Sequence, residues 1–230
     1  MFADIAPVYD LLKSHRDYAA EAAVVRGFLQ QEVPQARSVL EVACGTGSLL
    51  AELGEYHRTG LDISTEMLGQ AQLKIGDTVS LYQADMRDFS LPKTDYDALL
   101  CIDCALGYLS ESDLAPTMAN FARHLTPGGL LVLEPWYGPD DWQPGRIHVV
   151  QHRDAANTVI RVGYGYPDGT IEFHSVVGSS RGIHTFDERY ELTLHTPSSI
   201  TAALCRAGFA DIRRTATPCF RRGLFVARRS

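Results

Sequence analysis

The sequence predicts an α/β fold: a doubly wound, mostly parallel seven-stranded sheet with an inserted antiparallel β meander as lid. Three observations predict it. Residues 37–135 alternate short apolar runs with helical patterns five times, as parallel strands joined by right-handed crossovers do. Residues 147–194 then change to four strand-like runs separated by turn sequences. A helix and two more strand-like runs close the chain.

The elements follow in order. Residues 17–31 (DYAAEAAVVRGFLQQ) space Ala, Val and Leu as a helix does; Asp17 can cap it and Pro34 ends it. RSVLEVA is a continuous apolar strand of the kind buried on both sheet faces. A helix runs to about residue 54. HRTGLDIS is a second strand, and Ser64 opens the helix TEMLGQAQLKIG, with Gly76 at its end. TVSLYQAD and YDALLCI are the third and fourth strands. Ser110 or Ser112 starts the helix SESDLAPTMANFARHL, and PGGLLVLEPW follows as the fifth strand. The meander comprises IHVVQHR, NTVIRVGYGY, TIEFHSVV and IHTFDERYELTL, separated by DAAN, PDG and GSSRG. Pro197 opens the last helix, and DIRRTAT and RGLFVAR close the sheet. The expected organisation is a Rossmann-like core of residues 1–146 and 195–230, with residues 147–194 as a lid or dimer element.

Composition narrows the function classes. The net charge of −7 offers no basic face for nucleic acid, apart from a short arginine-rich tail. No window is apolar enough for a transmembrane helix, and MFADIAPVYD lacks the basic start of a secretory signal. The five cysteines are odd in number and scattered, which suits a reducing cytoplasm. Cys101 and Cys104 form C-x-x-C with no second pair to complete a zinc site, and His148 and His152 lie in a strand, so no metal is expected.

The stretch VLEVACGTG carries the most specific signal. Ligands of open α/β sheets sit beyond the carboxyl ends of the strands, and Glu41, Asp62 and Asp85 stand at three of those ends. Gly45 and Gly47 supply two glycines of G-x-G-x-x-G, but Leu50 replaces the third. An acid just before the turn suits a cationic ligand better than a pyrophosphate. Asp62 follows Glu41 by 21 residues, the spacing of a carboxylate that grips ribose hydroxyls. A positively charged, ribose-bearing, phosphate-free nucleotide fits, and S-adenosylmethionine (SAM) is one; a nicotinamide dinucleotide is the weaker alternative.

VLEVACGTG, GLDIS, ADM and LTPGGLLVLEP, in this order, resemble the motifs of class I SAM-dependent methyltransferases. The resemblance implies that Ala43, Gly45 and Gly47 wrap the methionine moiety and that Asp62 takes the ribose. It puts Ile63 and Met67 near the adenine, Asp85 and Met86 around it, and Ile102 facing the sulfonium. A narrower match runs from residue 8 to 227 through VYDLL, RDYAAEA, DMRDFSL, LGYL, LEPW and RGLFV. It resembles the N,N-dimethyltransferases of nucleotide-linked amino sugars. It implies that Tyr9 and Tyr18 close over the cofactor and that Tyr108 stands near the acceptor amine. Trp136, Tyr137 and Pro139 would line the acceptor pocket, and Arg222 would meet the diphosphate. The chain departs from that subgroup on the acceptor side: Gly163 and Tyr164 stand where a His-Ser pair is usual, Asp103 and Cys104 replace small polar residues, and Arg221 replaces a glycine.

Methyl transfer from a sulfonium to an amine needs a lone pair, alignment and a dry site. A phenol at Tyr108 or Tyr9 can orient the amine or relay a proton. Asp103 can attract or deprotonate an ammonium group, or serve only as a loop acid. Trp136 and Tyr137 read as an aromatic wall for the acceptor. Among the meander residues, Tyr164 and His174 are the expected contributors to that pocket. The expected protein is a cytoplasmic methyltransferase of a small-molecule amine, with a homodimer as one expected assembly and no nucleic-acid or membrane partner. Two alternatives are an enzyme that cyclises or lyses SAM itself, releasing methylthioadenosine, and a non-catalytic SAM-binding protein.

Overall fold

A computed structural model describes residues 5–180 and 182–230; residues 1–4 and Arg181 lie outside the described residues. Two helices, α1 (Tyr9–Leu12) and α2 (Tyr18–Glu32), precede the sheet, and Asp17 caps α2 by accepting the Ala20 N–H at 3.0 Å. The strands β1 (Ser38–Val42), β2 (His57–Asp62), β3 (Val79–Gln83), β4 (Tyr96–Cys101) and β5 (Leu125–Leu133) pair in parallel. The helices α3 (Ser48–Glu52), α4 (Thr65–Ile75) and α5 (Glu111–Arg123) connect them. Beyond β5 the chain forms the four strands β6 (Ile147–Arg153), β7 (Asn157–Gly165), β8 (Thr170–Ser179) and β9 (Gly182–Glu191), then α6 (Pro197–Arg206), β10 (Phe209–Thr215) and β11 (Leu224–Arg229).

The seven-stranded sheet has the order β10-β11-β5-β4-β1-β2-β3, with β11 antiparallel to both neighbours. Its topological switch lies between β1 and β4, where successive strands turn away to opposite sides. A ligand crevice belongs at their carboxyl ends. Both faces are covered, which explains the unbroken apolar runs. Leu40 and Val42 pack with Leu99, Leu131 and Phe121 in one layer. Val39, Leu100 and Val132 pack against Val25 and Leu29 of α2 in the other.

Local chemistry sets the helix starts around the crevice. Ser64 accepts the Met67 N–H at the head of α4, and Ser110 with Asp113 forms a capping box on α5. Between β1 and α3, Ala43, Gly45 and Gly47 all take positive φ. Gly47 has a second constraint: a Cβ there would lie 2.6 Å from Ile75 Cδ1, so α4 packs directly on the turn.

The four later strands make a separate antiparallel sheet of consecutive hairpins, β6-β7-β8-β9, inserted between β5 and α6. Side chains alternate across it. Val159, Arg161 and Gly163 face inward, while Ile160, Val162 and Tyr164 face out. The amino-terminal segment joins the two sheets: Ile5, Ala6 and Leu12 pack with Met67 of α4 and with Val159 and Val177 of the meander. His195 closes the return corner, its Nδ1 meeting the Glu111 carboxylate at 2.9 Å and its Nε2 the Leu109 carbonyl at 3.0 Å. Among the described residues, no helix is long and apolar enough to cross a membrane, and no cluster of His, Cys, Asp or Glu could hold a metal ion.

Candidate active site

Two cavities open from the switch point. The first, about 560 Å³, lies over the β1 and β2 ends; the second, about 850 Å³, lies between the core and the meander. Both volumes fall within the range of small-molecule sites. Tyr9, Lys13, Asp103 and Tyr108 line both cavities and so form the mouth between them.

Ala43, Gly45, Asp62, Ile63, Met67, Asp85, Met86 and Ile102 line the first cavity together with Tyr9, which brings together nine of the twelve residues expected at a cofactor. Asp62 is buried and organises the wall: Oδ2 accepts the Gly45 N–H at 2.8 Å and Oδ1 the Ser64 N–H at 2.9 Å. One carboxylate thus ties the glycine turn to the start of α4. Asp85 is paired with Arg87, which holds its carboxyl below the usual range.

The other three stand behind this wall. Gly47 packs on α4. Tyr18 lies under Arg16, whose guanidinium carbon is 5.7 Å from its ring centroid. Glu41 is buried at 5% exposure, and its Oε2 has no hydrogen-bond partner. Burial pushes its carboxyl up to about 8, against the pull of Arg16. Relative to an ordinary value of 4.5, this favours folding with Glu41 protonated. The stability is complete in acid and declines as pH rises from about 4.5 towards about 8, by about 3 kcal/mol at pH 7. Glu41→Gln mimics the protonated acid. It is expected to raise the urea midpoint of the ligand-free protein at pH 8 and to leave it nearly unchanged at pH 4.

The mouth is built on a strained turn. Asp103 and Cys104 both have left-handed backbone angles, φ 56° and 65°, and lead into the short helical turn that presents Tyr108. Lys13 Nζ and Arg16 Nη1 each lie 2.7 Å from the Asp103 carboxylate, and the Tyr9 hydroxyl donates to it at 3.1 Å. Burial opposes its ionisation, yet Lys13 and Arg16 hold the carboxyl well below the usual carboxylate range. Asp103 is therefore at the mouth, and its two cationic partners oppose the role of base contemplated from sequence. Burial, then the Asp103 charge, raise the Tyr9 phenol. The same causes raise Tyr108, which is 44% exposed where its ring opens into the cavities. Both phenols keep their protons at neutral pH.

Sequence reasoning missed the ionic hub beneath this turn. Glu134, 2% exposed, accepts the Asp103 N–H at 2.8 Å and Arg16 at 3.1 Å through Oε2, and Arg222 at 2.8 Å through Oε1. Its signal was present: Glu134 stands at the carboxyl end of β5 as Asp62 stands at that of β2. Arg16 carried no comparable signal.

Of the residues expected at an acceptor, Trp136, Tyr137 and Arg222 line the second cavity and Pro139 does not. The Arg222 guanidinium stands over both rings, 5.4 and 5.2 Å from their centroids, and its Nη2 donates to Cys104 Sγ at 2.6 Å. Tyr164 and His174 do not belong to this wall. Strand alternation turns both outward, and His174 Nδ1 pairs with Asp187 at 2.6 Å on the outer face. Arg161 and Phe173, on the inward face of the same two strands, line the cavity instead.

A methyltransferase-domain model matches residues 39–129. The chain is 36% identical over 232 residues to the dTDP-3-amino-3,4,6-trideoxy-alpha-D-glucopyranose N,N-dimethyltransferase of Streptomyces venezuelae, with 97% of each chain covered. It is 35% identical over 216 residues to the dTDP-3-amino-3,6-dideoxy-alpha-D-glucopyranose N,N-dimethyltransferase of Streptomyces fradiae, covering 90% of this chain and 84% of that one. The crystal structure of Streptomyces venezuelae DesVI superposes with a TM-score of 0.92 at 34% identity, covering 98% of each chain. The chain therefore belongs to the SAM-dependent methyltransferases, in the branch that contains the nucleotide-linked amino-sugar N,N-dimethyltransferases.

Proposed function

We propose that the protein methylates the amine of a nucleotide-linked amino sugar in antibiotic or other secondary metabolism. The observation that carries this reading is the meeting of two cavities at Tyr9, Asp103 and Tyr108, with SAM-methyltransferase motifs in one and an aromatic and cationic wall in the other. When bound, SAM supplies an electrophilic methyl group. The first cavity suits it in volume, and the lining acids Asp62, Glu66 and Asp85 suit a cationic, ribose-bearing group. In this reading Asp62 receives the ribose hydroxyls, Ala43 and Gly45 follow the methionine moiety, and Ile63, Met67, Asp85 and Met86 enclose the adenine. Ile102 faces the mouth.

The acceptor occupies the second cavity, with Trp136 and Tyr137 beside it and Arg222 at its diphosphate. Because Tyr9 donates to Asp103, its oxygen lone pairs are free to accept an amine N–H and aim the nitrogen lone pair at the methyl. Tyr108 completes this orientation. Neither phenol nor Asp103 changes protonation near pH 7, so the amine arrives neutral and the methylated ammonium loses its proton to solvent. Alignment, rather than base catalysis, supplies the rate.

Mass spectrometry of products from SAM and a dTDP-linked amino sugar tests this reading. Methylated sugar with S-adenosylhomocysteine is expected. Methylthioadenosine without a methylated sugar would establish the SAM-lysing alternative, and binding of SAM with no turnover on any amino sugar would establish the non-catalytic one.

The reading extends to assembly and location. The outer meander face exposes Ile147, Val149, Ile160, Val162 and Tyr164 at 39–63%. Such a contiguous apolar face suits pairing with a second copy of the chain. Val149 and Val162 are cross-strand partners at its centre. The Val149→Glu, Val162→Glu double variant is expected to run as a monomer in light scattering where the parent protein runs as a dimer. The five unpaired cysteines suit the cytoplasm, and the net charge of −7 suits a small-molecule rather than a nucleic-acid partner.

A further inference from the structure

The helix α1 has only four residues, too few to hold its place without outside contacts. Besides the apolar packing of Leu12, polar tethers fix it at two places. On one side Tyr9 and Lys13 meet Asp103 at the mouth. On the other, Asp10 reaches away from both cavities. Its Oδ2 pairs with Lys74 Nζ of α4 at 2.7 Å. Its Oδ1 accepts the Thr46 hydroxyl at 2.6 Å and the Ser48 hydroxyl at 3.2 Å. Lys74 donates in turn to Thr46 at 3.1 Å and to Ser48 at 2.6 Å. The four side chains close one network across α1, the glycine turn and α4, and none of them lines either cavity.

This network bears on the first cavity. Among the described residues that line it, only Tyr9 and Lys13 come from outside residues 43–109. That wall is carried by a short tethered segment, whereas the others belong to the sheet and its crossovers. The Tyr9 ring lies against the glycine turn: a Cβ on Gly45 would be 3.9 Å from Tyr9 Cε1. We propose that Asp10 and Lys74 form a latch that holds Tyr9 over the glycine turn and sets how fast the first cavity exchanges its cofactor. This rests on the reading that SAM lies there, with its methionine moiety between Gly45 and Tyr9. Lifting α1 frees that end. Each methyl transfer must be followed by exchange of S-adenosylhomocysteine for SAM, so the latch acts on every turnover. Asp10 and Lys74 are positioning residues, since they act through Tyr9. Because their network touches no ligand, it slows entry and departure alike and leaves the affinity unchanged.

Asp10→Ala removes all three Asp10 contacts, and Lys74→Ala removes the cation. The Lys13 amide donates to the Tyr9 carbonyl at 3.0 Å and reports whether α1 is docked. In either variant, without ligand, that amide is expected to exchange about fivefold faster, the upper range for a partly exposed ion pair. SAM association and dissociation, followed by surface plasmon resonance, are expected to quicken by the same factor of about five, with Kd within about twofold of the parent. The Asp10→Lys, Lys74→Asp double variant is expected to recover the parent rates, because the Thr46 and Ser48 hydroxyls can both donate and accept. Unchanged Lys13 exchange in both single variants overturns the latch. A loss of affinity carried by dissociation alone, or a charge exchange that recovers neither rate, overturns it as well. Faster Lys13 exchange with unchanged SAM rates overturns the placement of SAM beneath Tyr9, and the inference with it. No SAM binding by the parent protein overturns the cofactor reading itself.

Discussion

Arg16→Ala is expected to cost about 3–5 kcal/mol of stability, the usual price of removing one partner from a buried ion pair. Against a typical domain stability of about 5–15 kcal/mol, this is a large fraction. The Arg16 side chain is 8% exposed and meets Asp103 at 2.7 Å, Glu21 at 2.8 Å and Glu134 at 3.1 Å. Glu21 and Glu134 are still more deeply buried. Burial opposes the guanidinium charge, but Asp103 and Glu134 more than restore it, so Arg16 stays ionised. Its removal leaves like charges facing one another in a dry site, with Glu41 close enough to feel them. Urea unfolding checks the stability. Arg16→Lys is expected to recover only part of it, because one ammonium group cannot reproduce a planar fork shared among three carboxylates. A change of less than about 1 kcal/mol in the alanine variant would contradict this assignment.

Asp62→Asn is expected to weaken SAM binding by about 100-fold, read by calorimetry on the folded variant. The carboxylate accepts one backbone N–H on each oxygen, from Gly45 and from Ser64. An asparagine has a single acceptor oxygen, so its NH₂ must face one of those donors. The glycine turn or the start of α4 then loses its tether, and the ribose loses a charged acceptor. Loss of one hydrogen bond to a charged group, worth about 1.5–3 kcal/mol, accounts for the magnitude. An affinity within threefold of the parent would show that Asp62 is only structural.

The elements were legible in the sequence because their signals are local. Two-sided burial produced the continuous runs of β1 and β4, and Asp17, Ser64 and Ser110 announced their helices through side chains that cap them. Strand-end acids located the crevice, since chain direction alone places them there. What local sequence does not contain is the company a residue keeps. Asp103 looked like a base because its cations come from positions 13 and 16, more than 80 residues earlier. Alternation showed that only one of Phe173 and His174 could face inward, but not which, because that depends on how the lid lies over the core. The polar member was the natural choice for a substrate pocket. The structure chose the aromatic one, and Gly163, which reads as a lost side chain, became the seat that accommodates it.

Glu134 has a consequence for how the molecule comes together. Its carboxylate joins Arg16, Asp103 and Arg222, contacts that span 118, 31 and 88 residues of chain. Each closes a long loop, and such contacts gain only after that entropy has been spent. The β1–β2 and β6–β7 pairings are far more local and can form without them. The hub is therefore expected to form late in folding, once both ends of the chain have docked. The Asp103 amide, donated to Glu134, is a single hydrogen-exchange reporter of that final step.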